Sequence, residues 1–252
     1  MNDSECVDFL RWVLPQMRMR WAGFRKVRRQ VCRRISDRLE ELQLAGPSEY
    51  KVYLNGNPQE WKQLDPLCRI TISRFYRDKS TFHFLKNVVL KRLASETGTN
   101  LLRVWCCGCA SGEEPYTLSL IWHRDLKPEF PGTDIEIIAT DSSEVMIDRA
   151  LVGLYTKSSL KDLPDELLQA GFTFQKNHYI VNNEFRGTVR FVKQDVRENM
   201  PEGLFHVILC RYLVFTYFDH ELQTELLRKF MSRLSPGGAL VLGKIDRLPI
   251  IP

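Results

Sequence analysis

Residues 106–116, "CCGCASGEEPY", set Gly108 and Gly112 four positions apart after the apolar run "LLRVW", then add two carboxylates at once. The glycines supply backbone angles that few other residues adopt, and Pro115 suits the first turn of a helix, where its missing N–H costs little. A glycine-rich turn between a strand and a helix lets backbone approach a ligand closely. Asp141 closes the next apolar run, "IATD". A carboxylate there can accept both hydroxyls of a ribose, although Asp141 followed by Glu144 is also a helix-capping pattern. Glu113 and Glu114 would repel a pyrophosphate and attract a ligand carrying an ammonium and a sulfonium. The cofactor with those groups and a ribose is S-adenosylmethionine.

Such residues need a sheet to hold them. From residue 101 onward, "LLRVWCC", "DIEIIATD", "GTVRFVKQD", "LFHVILCR" and "GALVLGK" are short apolar runs of strand length, separated by helix-like segments at 113–127, 144–151 and 220–234. Strands alternating with helices imply an α/β fold with a mainly parallel sheet and helices on both faces. The preceding part reads as helical. Phe24, Val27, Val31, Ile35, Leu39 and Leu42 form one apolar stripe, which ends at Gly46 and Pro47, and further breaks fall at Asn55 to Pro58 and at Pro66.

Composition narrows the remaining possibilities. The 252 residues carry a formal net charge of +5, concentrated between Arg18 and Arg34 on the faces of the first long helix. That charge is a solvated face or a docking surface for an acidic protein partner; nucleic acid is the weaker expectation without interleaved aromatics. No apolar run is long enough to span a membrane, and acids stand where a signal peptide would be basic, so the expected location is cytoplasmic. Seven cysteines in no regular framework read as reduced, mostly buried thiols. Cys106, Cys107 and Cys109 lack the second cluster a zinc site would need, so no metal is expected.

Five segments together go further. "LLRVWCCGCASGEEPYTLSLIW", "IEIIATDSSEVMIDRALVGLY", "VRFVKQDV", "FHVILCRYLVFTYFD" and "LLRKFMSRLSPGGALVLGK" resemble, in order and spacing, the CheR-type methyltransferases, which esterify glutamates of bacterial chemoreceptors. "ITISRFYRD" is similar to that family's segment of a threonine, two aromatics, an arginine and an acid, so the likeness runs over about residues 50–248. The resemblance implies a Rossmann-like class I methyltransferase fold. It would comprise an N-terminal helical domain at 1–90 and an S-adenosylmethionine-binding catalytic domain at 91–252. A small β-subdomain at about 170–190 would match the family's three-stranded insertion within "FTFQKNHYIVNNEFRGTVRF".

The resemblance also implies roles. Thr71, Ser73 and Arg77 would face the methionine end of the cofactor and the reaction centre. Glu114, with Glu113, would hold the ammonium, Asp141 the ribose, and Asp195 and Val196 would flank the adenine. Arg211 and Tyr212 would lie beside the methyl group, with Tyr217 lining the acceptor channel, although the family's tyrosine corresponds either to Tyr217 or to the position held by Thr216. Either arginine is equally well half of an ordinary salt bridge. Departures cluster on the acceptor side: Tyr212 replaces the family's asparagine, and Ile245 and Asp246 replace its serine and glutamate. The expected activity is methyl transfer to a protein glutamate, leaving S-adenosylhomocysteine. The alternatives are transfer to a small nucleophile such as a thiol or small acid, or a regulatory domain that binds the cofactor without reaction.

Overall fold

A computed structural model describes residues 1–96 and 100–250. The end of the expected helical stretch, residues 97–99, and the final two residues of the expected catalytic domain lie outside the described residues. The chain divides into two compact units: one of Met1–Ile70, Val214–Thr224 and Leu248–Pro252, the other of Thr71–Leu213 and Glu225–Arg247. The expected boundary at residue 90 lies instead inside helix, because α6 (Lys79–Phe84) continues through a π-type stretch at Leu85–Leu90 into α7 (Lys91–Glu96).

The helical unit contains α1 (Asp3–Gln16), α2 (Trp21–Phe24), α3 (Arg28–Glu41), α4 (Pro47–Gly56) and α5 (Pro58–Leu67). The single helix expected from Phe24 to Leu42 is broken at residues 25–27, and Val31, Ile35 and Leu39 of its stripe are buried. The N terminus of α1 is closed by reciprocal bonds between Asn2 and Glu5. Glu60 is only 5% exposed, and its carboxylate takes both a bidentate pair from Arg38, at 2.9 and 2.7 Å, and the Tyr50 hydroxyl at 2.7 Å. That pair ties α3, α4 and α5 together, and Arg38 holds the Glu60 carboxyl below its ordinary range.

One expectation fails here. Cys6 of α1 and Cys32 of α3 form a disulfide, their Cα atoms 5.8 Å apart, while five other cysteines stay as buried thiols. The pairing depends on which faces of α1 and α3 meet, and a separation of 26 residues does not reveal that.

In the second unit, β1 (Leu101–Cys107), β2 (Asp134–Asp141), β6 (Val189–Lys193), β7 (Phe205–Leu209) and β8 (Leu234–Val241) form a sheet in the order β6-β2-β1-β7-β8, every pairing parallel. The order reverses between β1 and β7, which places the end of β1 and the turn that follows it at the switch point where such sheets bind ligands. Leu102, Val104, Ile137, Ala139, Val207 and Leu209 give the sheet a buried core beneath α8 (Glu113–Ile121). A second, antiparallel sheet is built from β3 (Leu154–Tyr155), β5 (His178–Val181) and β4 (Phe172–Gln175). The small insertion is thus three-stranded, but its third strand comes from before residue 170 rather than from the segment after 181. "VRFVK" instead becomes the edge strand β6 of the large sheet.

Candidate active site

Gly108 and Gly112 have φ of +76° and +90°, and Ala110 between them has +47°. Thr140 at the end of β2 accepts the N–H groups of Gly108 and Cys109 at 2.8 and 3.0 Å. A side chain at Gly108 would lie 2.6 Å from Leu213, and one at Gly112 would crowd Ala150, Phe191 and the Tyr155 hydroxyl at 3.0–3.1 Å. Both glycines therefore serve backbone angle and close packing together. Asp141 binds the turn directly, since its Oδ2 accepts the Ala110 N–H at 2.9 Å and its Oδ1 the Ser143 N–H at 2.9 Å. The carboxylate stabilises the start of the next helix, α9 (Glu144–Val152), from its place at the end of β2.

The two glutamates have different surroundings. Glu113 is 3% exposed; Ser111 donates to its Oε1 at 2.9 Å, while Oε2 has no partner in hydrogen-bonding geometry although Ser73 is close. Burial raises its carboxyl above the ordinary range, against the opposing pull of the backbone and the two serine hydroxyls. Glu114 is bound instead to Arg211, whose Nη1 donates to its Oε2 at 2.6 Å. Arg211 Nη2 donates to Asp78 Oδ2 at 2.7 Å and to the Arg77 carbonyl at 2.8 Å. Burial works against the Arg211 charge, and Glu114 and Asp78 more than offset it.

Arg77 contrasts with Arg211. Its guanidinium donates to the Ile72 carbonyl at 3.1 Å and stacks on the Tyr212 ring at 3.9 Å. Among the described residues no carboxylate lies within salt-bridge distance of it. Tyr212 donates its hydroxyl to Asp78, and burial together with that bond holds the phenol above its ordinary range. The structure thus brings Arg77, Glu114, Arg211 and Tyr212 into one cluster, with Glu113 and Ser73 beside it.

Other expected residues are distributed more widely. Thr71 lies half-exposed at the start of the same segment as Arg77, which is anchored where the Phe75 N–H meets the Ser159 carbonyl at 3.0 Å and the Tyr76 N–H meets Thr117 at 3.2 Å. Asp195 follows β6 and takes Arg197 Nη2 at 2.6 Å, while Val196 is buried. Tyr217 belongs to the helical unit, where it is 9% exposed and its ring centroid lies 5.0 Å from that of Phe24. Sequence reasoning assigned no role to Asp78, Tyr155 or Asp246. Tyr155 donates to the Ser111 carbonyl at 2.6 Å and so braces the glycine turn.

The residues suit S-adenosylmethionine: a buried carboxylate oxygen of Glu113 lacking a partner matches an ammonium, and Asp141 at the end of β2 matches a ribose. When bound, that cofactor supplies a methyl group activated by positive sulfur. A parallel sheet with this turn at its switch point and these carboxylates defines a Rossmann-like, S-adenosylmethionine-dependent methyltransferase. The family described as CheR methyltransferase, SAM binding domain, matches residues 71–251, and the chain belongs to that family. It is 31% identical over 183 residues to a chemotaxis protein methyltransferase of Listeria innocua, covering 72% of this chain and 67% of that one. It is 29% identical over 219 residues to an uncharacterised 104.1 kDa protein of Rhodobacter capsulatus, covering 86% of this chain but only 23% of the longer one. Among solved structures, the N-methyltransferase NodS from Bradyrhizobium japonicum with S-adenosylhomocysteine shares 15% identity, a TM-score of 0.38, and coverage of 67% and 62% of the two chains.

Proposed function

We propose that the chain esterifies a protein carboxylate, a glutamate side chain of a chemoreceptor-type protein. The observation that carries this reading is the unequal state of the two arginines. Arg211 is neutralised by Glu114 and Asp78, whereas Arg77 keeps an uncompensated guanidinium beside them. Such a cation binds a carboxylate through paired N–H donors and gives a neutral thiol nothing comparable. A glutamate is already ionised near neutral pH, so the site has to align it and exclude water rather than remove a proton. No histidine takes part in the hydrogen bonds of the cluster. Glu113 and Glu114 hold the ammonium and Asp141 the ribose, with Asp195 and Val196 toward the adenine. Of the two arginines, Arg77 orients the acceptor. The relatives' description as chemotaxis protein methyltransferases supports a protein acceptor.

The same reading gives α3 a docking role. Arg28 is paired with Asp3 at 2.9 Å, Arg34 is bonded to the carbonyls of Leu67 and Arg69, and Arg38 serves Glu60. Arg25, Arg29 and Arg33 are exposed, and among the described residues none is salt-bridged. Spaced by four residues, they suit an acidic protein surface. Arg28, expected to share that role, is committed to Asp3. The buried thiols agree with a reducing cytoplasm, against which the Cys6–Cys32 bond stands as an exception.

The test is methyl transfer from labelled cofactor to chemoreceptor-bearing membranes by Arg77→Ala. Transfer should fall by about a hundredfold while S-adenosylhomocysteine affinity changes less than threefold, because an orienting contact appears mainly in the transition state. A parallel fall in both would make Arg77 a cofactor ligand.

A further inference from the structure

Tyr212 has φ of +55°, a left-handed conformation that a tyrosine keeps only under constraint. Asp246, 4% exposed, supplies that constraint: its Oδ2 accepts the N–H groups of Tyr212 and Gly243, each at 2.8 Å, and its own N–H donates to the Gly243 carbonyl at 3.0 Å. Gly243 supplies the room. A side chain there would lie 2.8 Å from Asp246 Oδ2 and 2.8–2.9 Å from the edge of the Tyr212 ring. The Lys244 N–H adds a bond to the Tyr212 oxygen at 3.2 Å. These contacts pin one ring in one place, with the Arg77 guanidinium 3.9 Å above its face.

Two consequences follow for Arg77. A guanidinium stacked on an aromatic face uses its flat side and leaves its in-plane N–H fork able to grip a carboxylate. Among the described residues the neighbouring Asp78 makes no salt bridge with it; its Oδ2 accepts both the Tyr212 hydroxyl and Arg211. We infer that Asp246 and Gly243 are positioning residues which, through Tyr212, set the acceptor subsite of Arg77 to select an anionic carboxylate over its neutral amide. This rests on the proposed function, and the experiment below separates the two.

The probe is an S-adenosylhomocysteine analogue whose sulfur is replaced by a tertiary amine carrying a glutarate-like arm, alongside its twin with an amide-ended arm. Calorimetry on the wild type should show the carboxylate arm binding about tenfold more tightly than the amide arm, the strength of a charge-assisted hydrogen bond. Tyr212→Leu, Asp246→Ala and Gly243→Ala should reduce that ratio to about twofold or less, while S-adenosylhomocysteine itself binds the Asp246 and Gly243 variants within about twofold of wild type. Asp246→Asn, which keeps an acceptor oxygen for the two backbone N–H groups, should restore most of the ratio. Variants that retain the tenfold preference would overturn the positioning role and leave the function standing. So would a loss of S-adenosylhomocysteine affinity in step with the ratio, because the three residues would then only support the fold. A wild type indifferent to the two arms would overturn the carboxylate reading itself.

Discussion

Arg77 and Arg211 are neighbours in one network but carry different loads. Arg211 is 7% exposed between two carboxylates, so Arg211→Ala strands Glu114 and Asp78 as like charges and should cost about 3–5 kcal/mol of stability in denaturant unfolding. Arg77→Ala should cost less than about 1 kcal/mol in the same experiment, since no carboxylate depends on it. Equal losses would erase the distinction on which the acceptor site rests. Asp141→Ala should weaken S-adenosylhomocysteine binding by about 2–4 kcal/mol, by removing charge-assisted bonds to the ribose and the tie to the glycine turn. Unchanged affinity in calorimetry would leave Asp141 only its role at the start of α9. Glu113 makes a pH prediction. Its folded-state affinity for a proton is raised, so its contribution to stability is present in acid and is lost as pH rises above the ordinary glutamate value of 4.5. Glu113→Gln removes that cost, so unfolding curves should favour the variant increasingly from acid to neutral pH. A difference that stayed flat with pH would show that the carboxylate is not strained by burial.

At the scale of elements, what the sequence showed depended on how local the signal was. The strands β1, β2, β6, β7 and β8 were readable because each is an apolar run bounded by turn residues, and "GCASG" because a positive φ demands glycine. The network around Arg211 was not readable. Asp78 meets Tyr212 across 134 positions and Tyr212 meets Asp246 across 34, and nothing along the chain marks them as partners before the sheet assembles. The third strand of the small sheet was misplaced for a similar reason, since two residues, Leu154 and Tyr155, are too short to register as a period. The charge run around helix α3 does not divide by inspection: Arg28, Arg34 and Arg38 are bound within the unit, while Arg25 and Lys26 just before the helix and Arg29 and Arg33 on it are exposed and, among the described residues, carry no salt bridge. Replacing Arg29 and Arg33 by Glu should lower kcat/KM on a protein acceptor at least tenfold at low salt and less at higher salt, with kcat changing little. Kinetics insensitive to both charge and salt would return the arginines to a solvated face.

At the scale of the whole molecule, the residues assigned to the cofactor and to Arg77 lie in the unit of Thr71–Leu213 and Glu225–Arg247, and the basic helix in the other. The helical unit recruits Val214–Thr224, Tyr217 included, from the middle of what reads as catalytic sequence. A linear boundary cannot express that recruitment. The central claim is that this fold esterifies a protein carboxylate, and the fate of one methyl group tests it most directly. Methyl-labelled S-adenosylmethionine is incubated with the enzyme and chemoreceptor-bearing membranes, and the protein fraction is then treated with mild alkali. The account predicts label that first becomes macromolecular and is then released as volatile methanol, as an ester requires. Label that stays on protein through alkali, or that appears only on small molecules, would contradict it.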